Sequence, residues 1–599
     1  MSSSSEFSGK NLIGFTEFDG IATQYQRQDM PQKKAAWMEN LQPIGPNDLV
    51  CTPAAKAAIA TLAGGESIDR MFYFNLGQNT DYILCFCSSG AAYRVTNTSG
   101  VIVKFANAGT FSSDPDVTNW ETERALIADS KAGYCTYDGT VFVSQGGVSP
   151  NIEVTNGGSG YTSGATVAIT GGTGSGATAT ATVVGGVVTA INLTNPGSGY
   201  LASDTLTVTI TAVSGGSGAT ASGHVWPFLG FNPVTLAVFQ GRVWLGNANV
   251  ITYTGTGASY GGIGYDDFKA GDASGSFTIQ DADLVHNITA LRGLNNYLWI
   301  FGDGSVKQIG NISVSGSTTS FTVVTISSDQ GTLYRDSIYS YNRLVIFANK
   351  VGIFAVFGSS VEKISADLDG IFRAIDFSQI PCGAVADINN IHCYLLLVRY
   401  KDSVAGTRSI ILAWADKKFF VISQGNNLKY IITGVIQSLF SLFGTSGADI
   451  SPLLADPSTA VAITLRTSLT SNNAPMIGKS SVQYAVAQSV GNASSLNLLI
   501  ESENPKNVSI NYNISNVLNF INNSSGALQF VNSGGGNLNF ITNVAGFFYK
   551  HGNGGAISGV YLGMTLTGNV INFTLNSMLL EYEENAAFGT DQVAYAATL

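Results

Sequence analysis

Between Asp281 and Ile364 the chain repeats one pattern: a short apolar run, a Gly/Asn/Asp turn, another short apolar run. Ile288-Thr-Ala-Leu291 leads to Gly293-Leu-Asn-Asn296 and then Tyr297-Leu-Trp-Ile-Phe301, and Gly302-Asp-Gly304 turns into Ser305-Val-Lys-Gln-Ile309. A second round gives Ser337-Ile-Tyr-Ser-Tyr341, Arg343-Leu-Val-Ile-Phe347, Gly352-Ile-Phe-Ala-Val356 and Val361-Glu-Lys-Ile364. Four strands per round, joined by tight turns, is the pattern of a propeller blade. A propeller is a scaffold with no chemistry written into its repeat. Function is therefore sought in shape, assembly and partners.

The central apolar strand recurs as Arg242-Val-Trp-Leu245, Tyr297-Leu-Trp-Ile300, Arg343-Leu-Val-Ile346 and Tyr394-Leu-Leu-Leu397, spaced 55, 46 and 51 residues apart. That is close to a four-stranded propeller repeat of about 40–50 residues. Upstream, Met71-Phe-Tyr-Phe74, Tyr82-Ile-Leu-Cys-Phe86, Ala92-Tyr-Arg-Val95 and Val101-Ile-Val-Lys-Phe105 make another set of four. The fold class expected is all-β: a β-propeller core with an inserted small β module and a C-terminal β-sandwich-like domain.

Three segments break the blade pattern. Pro31-Gln-Lys-Lys-Ala-Ala-Trp-Met-Glu-Asn-Leu41 has Pro near the first helical position and good helix formers behind it, which predicts a short helix in an N-terminal arm over 1–60. Residues 150–225, between blade regions 61–149 and 226–455, are a duplication. Asn156-Gly-Gly-Ser-Gly-Tyr161 returns as Asn195-Pro-Gly-Ser-Gly-Tyr200, and Gly174-Ser-Gly-Ala-Thr178 as Gly216-Ser-Gly-Ala-Thr220. The alternation of Thr, Val and Ala between these turns favours an inserted β module over a low-complexity linker. In 456–599, Leu518-Asn-Phe-Ile-Asn522, Leu528-Gln-Phe-Val-Asn532 and Leu538-Asn-Phe-Ile-Thr542 recur every ten residues, a meander extension spanning 515–545.

Charged residues are only 12%, which fits a chain that buries much of itself in a permanent assembly and equally a secreted lectin-like chain, and the formal charge of −11 argues against tight nucleic-acid binding. The six cysteines are too few and scattered for a disulfide framework. Met1-Ser-Ser-Ser-Ser-Glu6 shows no signal-peptide pattern, and no run reaches the length of a membrane span. No HExxH, GxSxG, complete P-loop or paired CxxC is present, and no cofactor or enzymatic activity is implied. His224, His286, His392 and His551 read as packed or surface residues. Asp266-Asp267, Asp281-Ala-Asp283 and Asp367-Leu-Asp369-Gly370 could each seed a calcium loop or an acid/base pair. Asp367 and Asp369 are the metal candidates, although Asp before Gly is also what turns require.

Several of these runs resemble tail proteins of short-tailed bacteriophages: Leu236-Ala-Val-Phe-Gln-Gly-Arg-Val-Trp-Leu245, Asp266-Asp-Phe268, Asp281-Ala-Asp-Leu284 and Ala290-Leu-Arg-Gly-Leu-Asn-Asn-Tyr-Leu-Trp-Ile-Phe-Gly-Asp-Gly304. So do Ser365-Ala-Asp-Leu-Asp369, Leu442-Phe-Gly-Thr-Ser-Gly447 and the opening Ala35-Ala-Trp-Met-Glu-Asn-Leu-Gln-Pro43. The resemblance covers most of residues 10–455 and implies a tail nozzle (tail tubular or hub) protein. As such it would be made in the host cytoplasm and placed in the virion tail. It implies a homo-hexamer below the adaptor (the head-to-tail connector) that continues the channel for double-stranded DNA and helps close it, with tail fibres as further possible partners. Net acidity suits a conduit that must pass DNA without holding it. The turns carrying Asn522, Asn523, Gly526, Asn532, Gly534, Gly535 and Gly536 are the candidates for a channel gate or tip. The competing reading is a receptor- or carbohydrate-binding tail protein, with sugars stacked on tyrosine and tryptophan; a propeller glycosidase ranks third.

Overall fold

A computed structural model describes residues 11–585 apart from 78–80, 280–286, 404–405, 426, 437–438, 490–493, 505–506, 515–529, 532–536, 539–547, 554 and 556. The chain is nearly all β; among the described residues the one α-helix is the five-residue Asp369–Arg373. No helix among them is long and apolar enough to cross a membrane.

Six antiparallel sheets of four strands, and a seventh set of four antiparallel strands that is part of a nine-stranded sheet, dominate; each set is called a sheet below. Their first strands are Ile68–Asn75, Asp116–Trp120, Thr235–Phe239, Ile288–Leu294, Tyr339–Tyr341, Cys382–Ile388 and Tyr430–Ile436. The recurring apolar runs at Arg242, Tyr297, Leu344 and Tyr394 all fall in second strands, which are sandwiched between neighbours and therefore carry the most continuous burial. First and second strands meet through two-residue turns at Gln240-Gly241, Asn295-Asn296, Asn342-Arg343 and Asn389-Asn390, with both residues of each at positive φ. A type I′ hairpin turn requires that geometry, and Asn tolerates it better than most side chains.

Each sheet shares a hydrophobic core with the next. Phe74 and Leu84 meet Ile127 and Cys135; Leu126 and Val143 meet Leu236 and Leu245; Trp244 and Ile251 meet Leu298 and Ile309. Phe301 meets Phe347, and Ile346 and Ala355 join Leu395 and Leu397, which join Ile431 and Leu442. Ile432 and Phe443 of the seventh sheet return to Met71 and Ile83 of the first, so the circuit closes. Its fastener comes from the other end of the chain. The fourth strand of the seventh sheet is Ala60–Thr61, paired with Asp449–Leu453.

The N-terminal segment differs from the sequence expectation. No helix forms at 31–41; Ala35–Glu39 and Leu41–Ile44 are strands. Ala35–Glu39 pairs antiparallel with Val461–Thr467 and touches Lys418–Ile422 in parallel, so it splices the sixth sheet into a nine-stranded sheet reaching the C-terminal region. Leu12–Phe15 and Asp48–Cys51 pair with Thr574–Asn585 in a second, seven-stranded sheet. Ile13, Phe15 and Leu49 share a core with Leu465, Leu498, Met564, Met578 and Leu580. Burial and edge pairing across more than 400 residues override a local helix preference of a few tenths of a kcal/mol per residue. The segment is thus built into two sheets that it shares with the C-terminal strands.

Residues 153–222 form a separate six-stranded sheet, ordered Glu153–Ser159, Ser217–Ser222, Thr207–Thr211, Thr166–Thr170, Ser175–Val184, Val187–Ser198. The two sequence copies exchange partners across it. First strand of one copy pairs with third strand of the other, and the middle strands pair with each other. The repeated motifs explain themselves in this exchange. Tyr161 of the first copy lies where a Cβ on Gly216 of the second would come within 2.8 Å of its ring, and Tyr200 blocks Gly174 at 2.4 Å. Asn156 and Asn195 each accept a bond from the N–H two residues on, at 2.9 Å. Bulk missing from the side chains is replaced by close backbone approach.

Candidate functional site

The inner strands of the circuit enclose a cavity of about 450 Å³, bordered by residues from six of the seven sheets. Its lining includes Arg70, Asp116, Arg292, Arg335 and Asp336, with Asp114 paired to two of them: three arginines and three aspartates, called its floor below, brought together from distant parts of the sequence. Arg292 clamps Asp116 with bonds of 3.0 and 3.2 Å. Asp116 also accepts from the Thr235 hydroxyl at 2.6 Å and the Leu236 N–H at 3.1 Å. Arg335 reaches Asp114 at 3.0 Å and the Val234 carbonyl at 2.6 Å. Arg70 is paired with both Asp114 and Asp336 and donates to the Pro115 carbonyl at 2.9 Å.

The electrostatics of this floor are closed on themselves. Burial works against the Arg70 charge, but Tyr430, Asp114 and Asp116 outweigh it and hold its pKa above the ordinary arginine value. Burial pushes the Tyr339 hydroxyl, on the cavity wall, up to about 12. Three positive and three negative groups are paired here, and burial holds the Asp114 carboxyl above its ordinary value despite Arg70 beside it. The group cross-links first strands, or the residues leading into them, from the first through the fifth sheets. Such a cavity has the volume of a small-molecule pocket. It cannot admit a double helix, whose major groove alone is about 12 Å wide.

The sequence-derived calcium candidates are already engaged. Asp367 takes Lys34 at 2.9 Å and Gln24 at 3.1 Å; Asp369 takes Lys363 at 2.6 Å. These lysines supply the positive charge a cation would bring, and no group of three or more ligand-type side chains occurs among the described residues. Asp281 and Asp283 lie outside the described residues, as do the gate candidates Asn522, Asn523, Gly526, Asn532, Gly534, Gly535 and Gly536. Near the latter, Phe530–Val531 and Asn537–Leu538 pair antiparallel.

Asp266 and Asp267 have structural partners. Asp266 is buried beneath the inserted module, where Ser149, Asn151 and His224 converge on it, His224 at 2.8 Å. The His224 ring stacks on Tyr260 at 3.6 Å, and Lys269 sits over the same tyrosine. The carboxylate is shared by Ser and His rather than aligned behind the His, so no nucleophile is activated. Asp267 accepts from the N–H groups of Gly257 and Lys269 at 3.0 and 3.1 Å. His392 binds Asp387 at 2.8 Å, and all six cysteines are buried thiols. Sequence reading missed these charges because they are scattered from residue 70 to 336, inside strands, at a strand start and in a short turn, with no local motif to mark them.

No family model and no curated protein matches the sequence. Among solved structures, 67% of the chain overlaps 99% of the WD40 repeats of RRP9 at 8% identity, TM-score 0.34. It overlaps 99% of U3-55K at 9% identity, TM-score 0.33. The same share of the chain overlaps 29% of Raptor from Chaetomium thermophilum at 10% identity, TM-score 0.35. At these values none of the likenesses bears on what the chain does.

Proposed function

We propose that the circuit of seven sheets is a β-propeller and that the chain is a structural subunit of a bacteriophage tail. In this reading six copies form the nozzle ring below the adaptor, and no reaction is catalysed. The observation that carries it is the group of paired charges beside the cavity in a circuit fastened by Ala60–Thr61, which reads as a stiff, chemically inert body. The runs that resemble tail proteins support the same reading, since several supply its framework: Arg292 holds Asp116, and Arg242 donates to the Thr254 and Ala273 carbonyls at 2.7 and 2.9 Å. The subunit's own cavity is too small for DNA, so the genome path runs between copies, along surfaces rich in Asp, Glu, Asn, Ser and Gly.

Mass measurement and electron microscopy of the purified chain, with and without adaptor, test this. Six-fold rings that engage the adaptor are expected. A monomer that binds host glycans would overturn the reading in favour of a receptor-binding protein, and a Lys/Arg-lined lumen would refute the inert-conduit part.

A further inference from the structure

The charge pairing at the floor of the cavity leaves particular atoms unmet. Arg335 is 6% exposed, and its two terminal nitrogens are spent on the Val234 carbonyl and on Asp114. Among the described residues its Nε has no hydrogen-bond partner; Asp116 Oδ1 lies at 3.4 Å and Asp336 Oδ1 at 3.8 Å. Asp336 engages Arg70 through Oδ2, while its Oδ1 stands 3.8 Å from Arg292 Nη2 as well, beyond hydrogen-bond length. On the second sheet, Asn119 Oδ1 is buried and likewise unpartnered among the described residues. Arg335, Asp336 and Asn119 all line the same cavity. Buried polar atoms are nearly always satisfied in folded proteins, so these three point to a partner inside it.

Charge and shape narrow what that partner is. Three arginines are matched by three aspartates, so an anion or a cation would enter as an extra, uncompensated buried charge. A purely apolar guest would leave the orphaned atoms as they are. A hydroxyl both accepts and donates: it can accept from Arg335 Nε and donate to Asp336 Oδ1 at once. Much of the remaining lining is apolar or aromatic, including Leu291, Ile338, Ile432, Tyr339 and Tyr430. A sugar ring has this same division, with hydroxyls at its edge and a C–H face that packs on apolar groups. About 450 Å³ is far more than a single water fills and falls in the range of small-ligand pockets.

We propose that the cavity is a binding site for a neutral sugar, with one hydroxyl between Arg335 Nε and Asp336 Oδ1 and another at Asn119 Oδ1. The site lies within one subunit and goes beyond the ring reading without resting on it.

The test is saturation-transfer NMR and titration calorimetry on the full chain. The probes are the methyl glycosides of glucose, galactose and mannose, N-acetylglucosamine, and glucuronate and glucosamine as charged counterparts. At least one neutral sugar should bind, at least tenfold more tightly than either charged one. The same sugars at the ends of trisaccharides separate a free ligand from a glycan terminus, and binding of either supports the site. Thr118→Phe adds a ring at a lining position and should abolish binding. Asn119→Leu removes the unmet acceptor at similar volume and should weaken binding at least tenfold while keeping the wild-type melting temperature; it carries the test should Thr118→Phe not fold. No binding of any neutral sugar at millimolar concentration would mean that water alone meets these atoms, and would overturn the site. Binding that Asn119→Leu leaves unchanged, or tighter binding of glucuronate, would overturn it too. Each of these failures leaves the nozzle reading standing, which is decided by the mass and symmetry of the assembly.

Discussion

The ring of seven sheets and the inserted six-stranded module are both antiparallel β, yet they are held together by opposite means. The ring is filled by large side chains such as Trp244, Phe301 and Phe347, and its axis is pinned by paired charges. The module's strands alternate, with Thr exposed on one face and Ala, Val and Ile half-buried on the other, and only Glu153 and Asp204 carry charge between residues 150 and 225. Its cohesion combines glycines that let two tyrosines lie against bare backbone with a thin core of Val188, Ile191 and Leu193. Strand architecture can thus rest on volume and charge or on the removal of volume. The two solutions fail differently when a single atom is added or removed.

The largest expected effect is in the ring. Asp116→Ala leaves Arg292 without its clamp partner and takes a carboxylate from beside Arg335, and breaking a buried pair in this way costs about 3–5 kcal/mol. Calorimetry should show the ring transition moving down while any separate transition of the module stays in place. The complementary change is Gly174→Ala, whose new methyl meets the Tyr200 ring and backbone. It should cost about 1–3 kcal/mol and raise hydrogen exchange within 153–222 alone. A shift of the whole molecule would break the comparison.

Acid should act on the C-terminal strands as well. Burial alone pushes the Glu501 carboxyl up, and the Arg27 hydrogen bond and charge more than reverse this, leaving its pKa below the ordinary value. A folded pKa below the unfolded one gives stability that is full above about pH 4.3 and fades as pH falls through the folded value. The nine-stranded sheet that holds Glu501 should therefore weaken in acid, and Glu501→Gln should flatten that dependence in a pH series of melting curves. The smallest effect is expected at Gly185, at positive φ with open space around it. Gly185→Ala should cost about 1–2 kcal/mol through backbone strain, without the steric clash seen at Gly174.

What could be read from sequence follows the same division. Second strands of the ring announced themselves because burial on both faces makes a run such as Tyr394-Leu-Leu-Leu397 apolar without a break. The Asn-Asn turns were legible because few residues tolerate that backbone. The strand at Ala35–Glu39 was not, since its partners lie at Val461–Thr467 and nothing in Ala-Ala-Trp-Met-Glu excludes a helix. Ala60–Thr61 is two residues long and has meaning only beside Ile450. The floor of the cavity was hidden for the same reason, being assembled from single residues between 70 and 336.

The fastening of both ends has a consequence for synthesis on the ribosome. Leu12–Phe15 finds its partner only at Met578–Glu581, and Ala60–Thr61 only at Asp449–Ile450. At about 5–20 residues per second, the first strands emerge roughly half a minute to two minutes before the last. Through that interval several apolar strand edges stand open with nothing to cover them, so nascent chains crowded on one messenger would be at their most prone to pair with each other.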